Sequence, residues 1–556
     1  MKKFTACLVF CALLLAASQA FAGATITIVN NNLPGVGFND PTPAAPVGNN
    51  TGTTKGQQAL NAFQFAASRW GSTLDSKAEI RILASFEPLS CTPTAGTLGS
   101  AGTIFVFDDG VQFYHSALAD KIVGFDLLPG QPDIRARFNS QLGTAACLTG
   151  LSWYLGMDNN ANASQIDLSV VLLHEFAHGL GFSTFENSAT GALFAGLPDV
   201  YNNHLADNRD NIPFPALTDA GRQAAIIGGH VIWTGSHVDT AVPTVLQPGT
   251  PLLHIASPAS IAGNYKVGAA SFGPPLSSPG VTGTIVAALD PADAFGPTTF
   301  DACSPITNAA DVAGNIALVT RGTCGFIVKV KNAQNAGATA VIVADNAAGS
   351  PPAGLGGADP TITIPSVRVT QADGLAIRAA LPATGTLGVD LSVRAGADTN
   401  DHALMYSPNP VILGSSISHW DTSAFPNQLM EPNINGDLTY NVTPPQDMTL
   451  PLLRDVGWYP DADLDLVSDE GDDACLNSDL TGTVIIGSNN SGVPNTLFAN
   501  GCTIKDFVNQ CLAHATNRGS FNSCVAHLGD SLLSAGVITQ AQKDALQSAA
   551  ARAKLP

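Results

Sequence analysis

The pentad His174-Glu175-Phe176-Ala177-His178 lies between Val170-Val171-Leu172-Leu173 and Gly179-Leu180-Gly181-Phe182, and it constrains this chain more than any other stretch. Residues four apart on a helix lie one turn above each other, so a helical reading puts both imidazoles on one face, within reach of a single cation. The apolar flanks require that helix to be buried against other elements. Neutral imidazole nitrogens are good zinc ligands, and a catalytic zinc site takes three protein ligands and keeps one position open for water. Glu175 would stand beside that water, where a carboxylate can take its proton as it attacks a carbonyl and pass the proton to the leaving amine. Gly181 can end the helix in a left-handed conformation and turn the chain away below the metal. Two histidines are one ligand short, so a third must arrive from another part of the chain.

The surroundings of the pentad suit a helix packed on a sheet. Residues 25–30 alternate as a strand does, 57–74 put Leu60, Phe63, Ala67 and Trp70 on one helical face, 79–86 alternate again, and 166–180 form the helix of the pentad. This order predicts an α+β layer. From 252 to 398 the texture changes to short apolar pieces, such as 315–319 and 340–344, separated by Gly and Pro turns. From 399 to 459 the chain is again aromatic and rich in Asn and Pro. Carboxylates then crowd into 461–473, at Asp461, Asp463, Asp465, Asp469, Glu470, Asp472 and Asp473. Two helix starts follow, at Thr503 with Asp506 three places on and at Thr539.

Composition narrows the setting. The 556 residues correspond to roughly three or four domains of about 150 residues each. With 24 Lys and Arg against 44 Asp and Glu, the formal charge is −20, which disfavours nucleic acid or an anionic membrane surface as the main partner. Residues 1–22 read as a Sec signal, with Lys2 and Lys3, an apolar stretch and Ala20-Phe21-Ala22 as the cleavage site near Ala22. Secretion or release to the periplasm is therefore expected. The apolar stretch is shorter than the roughly 18 to 20 residues of a spanning helix, and no later stretch is long enough, so no membrane insertion is expected. The cysteines beyond the signal are Cys91, Cys147, Cys303, Cys324, Cys475, Cys502, Cys511 and Cys524. An even set in an exported chain reads as disulfides, and pairing of sequence neighbours within each domain is the expectation.

The pentad together with Gly181 resembles the metzincin metallopeptidases, whose motif extends to HExxHxxGxxH. Thr184 stands at the place of the third His. Glu186 is too close to His178 to serve as the Glu ligand of a gluzincin, and Glu431 lies beyond a long insertion. His419, in Gly414-Ser415-Ser416-Ile417-Ser418-His419-Trp420-Asp421, is followed by Met430 in Leu429-Met430-Glu431-Pro432. This pairing is similar to the leishmanolysin branch, where a long insertion separates the third His from the helix and a Met-turn floors the site. The resemblance implies His174, His178 and His419 as zinc ligands, Glu175 as the catalytic residue, and Met430 and Gly181 as structural support. His204, His230, His237, His254 and His402 stay open as rivals for the third ligand.

Within the insertion, the run from Ala313-Gly314-Asn315 through Thr323-Cys324-Gly325-Phe326, then Lys329, Asn332-Ala333-Gln334-Asn335-Ala336-Gly337-Ala338 and Ile364-Pro365-Ser366-Val367, resembles the protease-associated (PA) domain. The spacing of Asp461, Asp463, Asp465, Asp469 and Asp472 ahead of Cys475 resembles one thrombospondin type-3 calcium repeat, with Leu466 where Gly is common. Calcium takes about six to eight oxygens, which closely spaced aspartates on a turn can supply, although a solvated acidic linker fits the same composition.

The expected order is a signal at 1–22, a metzincin-like catalytic domain at 23–251 and 399–459, an inserted β-rich PA domain at 252–398, an acidic calcium segment at 460–482 and a small helical module at 483–556. The expected activity is that of a secreted zinc endopeptidase acting on proteins or peptides, with calcium as a second cation. The rivals are a zinc aminopeptidase, which shares the chemistry, and an exported binding or adhesion protein in which the zinc helix is structural. The oligomeric state is not set by the sequence.

Overall fold

The protein is described from a computed structural model covering residues 23–553 except 462, 466 and 470–472. The expected signal peptide and Asp472 lie outside the described residues. The chain divides into two compact units. The larger comprises Ile26–Trp70 and Ala78–Tyr459, and the smaller is built, among the described residues, on 23–25, Gly71–Lys77 and 460–553.

The larger unit is organised by a four-stranded sheet in the spatial order Ile26–Asn30, Ile80–Glu87, Ile134–Asn139, Gly99–Thr103. The first three strands run parallel and Gly99–Thr103 pairs antiparallel with Ile134–Asn139, at the edge. The connection between the first two strands carries the helix Lys55–Gly71, as a parallel pair requires. That helix buries Phe63 against Phe138 of the sheet and Phe176 of the next layer, with ring centroids 4.9 and 6.1 Å apart and edge-to-face tilts. Trp70 donates its indole N–H to the carbonyl of Leu173, 3.1 Å away. The helix of the pentad, Leu168–Leu180, is buried along its whole length. It starts two residues later than its apolar pattern suggests, because Gln165–Asp167 is drawn into a short parallel pairing with Ser152–Tyr154.

An eight-stranded sheet occupies the insertion, opening with Pro248–Ser257 and closing with Ala383–Arg394, which pair antiparallel. Its centre, Val281–Ala287, Ile316–Thr320, Ala340–Ala344 and Ser366–Val369, is parallel. Alternate residues serve two cores: Leu318 and Ile342 pack with Ile377 of the helix Gln371–Ala379, while Val319 and Val343 pack with Val330 and Ala333 of the helix Phe326–Asn335. The insertion is thus rich in strands, and it carries a helix on each face of its sheet that the sequence reading did not include. Burial on both faces is why its strands read as unbroken apolar runs.

The smaller unit also differs from the helical expectation. Helices Ile504–His514, Arg518–Ser534 and Gln540–Arg552 enclose a core with the hairpin Thr483–Ile486 and Asn489–Pro494, whose Val484, Ile486 and Val493 meet Val508, Phe521 and Leu546. Thr503 and Thr539 cap their helices through capping boxes, as the sequence predicts. The disulfides are Cys91–Cys147, Cys303–Cys324, Cys475–Cys502 and Cys511–Cys524, which is the pairing of sequence neighbours.

Candidate metal centre

His174 and His178 rise one turn apart on the buried helix, and His419 joins them from 241 positions beyond His178. The Nε2 atom of His419 stands 3.2 Å from Nε2 of His178 and 3.2 Å from Nε2 of His174. Each ring is fixed from behind. His174 Nδ1 faces the carbonyl of Leu429 at 2.7 Å, His178 Nδ1 that of Phe182 at 2.8 Å, and His419 Nδ1 that of Ser415 at 2.9 Å. A carbonyl can only accept, so each Nδ1 carries the proton and each Nε2 of a neutral ring presents a lone pair. Burial holds the rings neutral, pushing His174 down to about 3, His178 to about 4 and His419 well below the ordinary histidine range. Three lone pairs facing one another with no proton between them are mutually repulsive unless a cation occupies their focus. The donor set therefore fits a metal ion, and three imidazoles oriented by carbonyls are a ligand set suited to zinc.

Glu175 sits on the same helix, buried, and its Oε2 accepts the backbone N–H of Ala101 at 2.9 Å. Ala101 belongs to the edge strand, so the sheet aims the carboxylate. Burial pushes the Glu175 carboxyl up to about 8, with the Ala101 N–H pulling the other way. Gly181 terminates the helix at φ +123°, and Phe182 returns its N–H to the carbonyl of Ala177 at 2.9 Å. That reversal is what brings the Phe182 carbonyl behind His178.

Met430 is fully buried, and its turn touches the surroundings of two of the three histidines. The Leu429 carbonyl accepts from His174, while the Met430 carbonyl accepts the N–H of Trp420, next to His419, at 2.8 Å. The turn is held by the buried Asp447, which accepts the Leu429 N–H at 2.6 Å, and by Glu431, which accepts the Gln428 N–H at 2.7 Å.

The rival side chains are engaged elsewhere. His204 stacks on Trp233, His230 bonds Asn208, His237 pairs with Asp455 at 2.9 Å, His254 bonds Asn264, and His402 pairs with Asp239 at 2.8 Å. Glu186 accepts from Asn202 at 2.8 Å. Thr184 donates its hydroxyl to the buried Asp199 at 2.8 Å, so the chain leaves the metal centre at the point where the metzincin motif would continue. No motif pointed to His115, a fully buried imidazole whose Nε2 lies 2.8 Å from Ser183 Oγ.

In the smaller unit Asp461, Asp463 and Asp465 bring carboxylate oxygens within 4.8 Å of one another. Asp469 is not in that group. Asp465 is 2 % exposed and its buried Oδ2 has no hydrogen-bond partner among the described residues. Asp473, which the spacing did not single out, turns toward it: a Cβ built on Gly501 would lie 2.1 Å from Asp473 Oδ1 and 2.9 Å from Asp465 Oδ2.

No helix among the described residues is long and apolar enough to cross a membrane. The chain is 34% identical over 144 residues to Vacuolar-sorting receptor 2 of Arabidopsis thaliana, covering 23% of this chain and 22% of that protein. It is 40% identical over 100 residues to the Probable lipoprotein aminopeptidase LpqL of Mycobacterium tuberculosis, covering 18% and 19%. The chain thus spans about a fifth of the length of these curated relatives. A zinc aminopeptidase from Bacillus subtilis is 25% identical, with a TM-score of 0.19, over 27% of this chain and 35% of that one. A receptor and an aminopeptidase share no single activity that so short a stretch could carry over. The PA domain family matches residues 281–377, and the chain therefore carries a PA domain between His178 and His419.

Proposed function

We propose that this protein is a zinc-dependent peptidase that hydrolyses internal peptide bonds of polypeptides. The observation that carries the reading is the convergence of three buried, carbonyl-oriented Nε2 lone pairs beside a buried glutamate on the same helix. His174, His178 and His419 would hold zinc, which when bound supplies Lewis acidity at that point. Glu175 would take the proton of the attacking water and deliver it to the leaving nitrogen, from a carboxylate that the Ala101 N–H holds in place. A purely structural zinc would not need this carboxylate. The PA domain supports a polypeptide substrate through the company such domains keep, and export would place the enzyme outside the cytoplasm.

Calcium is proposed for Asp461, Asp463 and Asp465, because their carboxylate oxygens converge and the buried Oδ2 of Asp465 lacks any other partner among the described residues.

The test is zinc content and proteolysis in the wild type, Glu175→Gln and His419→Ala. Glu175→Gln should keep zinc and lose about 100- to 10,000-fold in rate, and His419→Ala should lose most of its zinc. Full activity in either variant overturns that residue's role. Cleavage of folded or denatured proteins at internal bonds, against release of single N-terminal residues, decides between the endopeptidase and the aminopeptidase.

A further inference from the structure

We propose that the inserted PA domain positions the third metal ligand, by gripping the segment on which His419 rests; this builds on the metal-site reading above. The Tyr406 N–H donates to the His419 carbonyl at 2.8 Å, and the Ile417 N–H donates to the Tyr406 carbonyl at 2.7 Å. Met405 and Trp420 form the next antiparallel bridge. His419 thus lies on a short ribbon whose other side is residues 404–409.

Both ends of that side are tied to the insertion. At the far end, Ser350 of a PA-domain loop exchanges both backbone bonds with Asn409: the Ser350 N–H donates at 2.8 Å and the Asn409 N–H returns at 2.6 Å. At the near end, Leu404 donates its N–H to the Gly396 carbonyl at 2.8 Å, two residues past the strand Ala383–Arg394 that closes the insertion. Gly396, at φ +85°, packs so tightly on Ala424 that a Cβ there would lie 2.5 Å from the Ala424 Cα. Gln247, at the entrance to the insertion, donates to the Phe425 carbonyl at 2.9 Å, between His419 and Met430. The insertion therefore holds the ribbon of His419 at Leu404 and Asn409, and the loop after His419 at Ala424 and Phe425.

A grip of this kind is a coupling between sites, and coupling in binding is reciprocal. Zinc should slow hydrogen exchange at the Asn409 amide, and loosening Asn409 should weaken zinc. Full-length Ser350→Pro removes the N–H that the Asn409 carbonyl accepts. It should lower zinc affinity roughly tenfold, as loss of one or two backbone hydrogen bonds expressed at the metal would do. The amides of Tyr406 and Ile417 should exchange faster in the metal-free protein. Unchanged affinity and unchanged exchange at Tyr406 and Ile417, with protection at Asn409 lost, would overturn the proposal.

A chain that never binds zinc defeats the peptidase reading, yet exchange in the metal-free protein still measures the grip. Should Ser350→Pro not fold, the double variant Ser350→Cys with Asn409→Cys takes its place, since the Cα atoms of such a hydrogen-bonded pair lie about 5.5 Å apart, within disulfide range. Its crosslinked form should release zinc to a chelator more slowly than its reduced form and protect Tyr406 and Ile417. Equal rates in the two forms overturn the proposal.

Discussion

Asp133 lies 6 % exposed at the start of the sheet strand that supports the metal-site helix, accepting the Arg81 N–H at 2.8 Å and sharing a side-chain hydrogen bond with the buried Asp120. Burial, joined by the charges of Asp120 and Asp126, pushes its carboxyl up to about 7 from an ordinary 3.8. Between those values the folded chain keeps a proton that the unfolded chain has released, so stability falls as pH rises through the window and the penalty is complete above about 7. Asp133→Asn supplies the donor permanently: its carbonyl can accept from Arg81 and its amide can donate to Asp120. Thermal unfolding should show Asp133→Asn above wild type at pH 8, with the difference gone near pH 4; a variant less stable at pH 8 would refute the shared-proton account. Readability from sequence was uneven at this scale. The His174 and His178 spacing is a local property of a helix, and His419 could be picked out because Met430 follows it. The carbonyls of Leu429, Phe182 and Ser415, which set the tautomers, leave no trace in the sequence because every residue has one.

Among the elements, the metal-site helix depends most on its first turn. Asp167 caps it, accepting the N–H groups of Ser169 and Val170 at 2.9 and 3.4 Å, and takes the Tyr440 hydroxyl at 2.8 Å. Tyr440 in turn packs edge-to-face on Phe65, 5.0 Å between centroids. Asp167→Ala should cost about 1 to 2 kcal/mol in urea unfolding, as lost caps do, and Asp167→Asn, which keeps an acceptor, should recover most of it. A loss confined to the noise in Asp167→Ala would remove the cap from the account. The strand at 79–86 and the helix at 57–74, which ends at Gly71, were legible because Ile80, Ile82 and Ala84 on one and Phe63, Ala67 and Trp70 on the other form one buried apolar face. The strand at 165–167 was not, since it exists only through pairing with Ser152–Tyr154. The helices on the two faces of the PA-domain sheet were hidden by a different cause: each is only nine or ten residues long and buries two or three of them, so its periodicity is brief beside the unbroken apolar strands it covers.

At the scale of the whole molecule, the proposed metal site is completed by His419, which follows an entire inserted domain, and loop-closure entropy tolerates this because its cost grows only logarithmically with length. The two proposed cations then fall in different compact units, each with its own core, and should be separable by chemistry. Soft nitrogen chelators such as 1,10-phenanthroline compete for an all-imidazole zinc site and poorly for calcium held by carboxylate oxygens. Phenanthroline should therefore abolish peptide hydrolysis, with recovery on added zinc, and leave untouched any calcium-dependent unfolding of residues 460–556. In metal-depleted protein, added calcium should raise the unfolding temperature of that smaller unit, because it binds only the folded arrangement of Asp461, Asp463 and Asp465. Asp465→Asn removes the charge at a buried oxygen that has no hydrogen-bond partner among the described residues, and it should erase the calcium response while keeping zinc and hydrolysis. A calcium response that survives Asp465→Asn would locate the cation elsewhere. Absence of any response in the wild type would make the cluster an acidic turn with no ion, and the peptidase reading would stand unaffected, since none of its ligands lies in that unit.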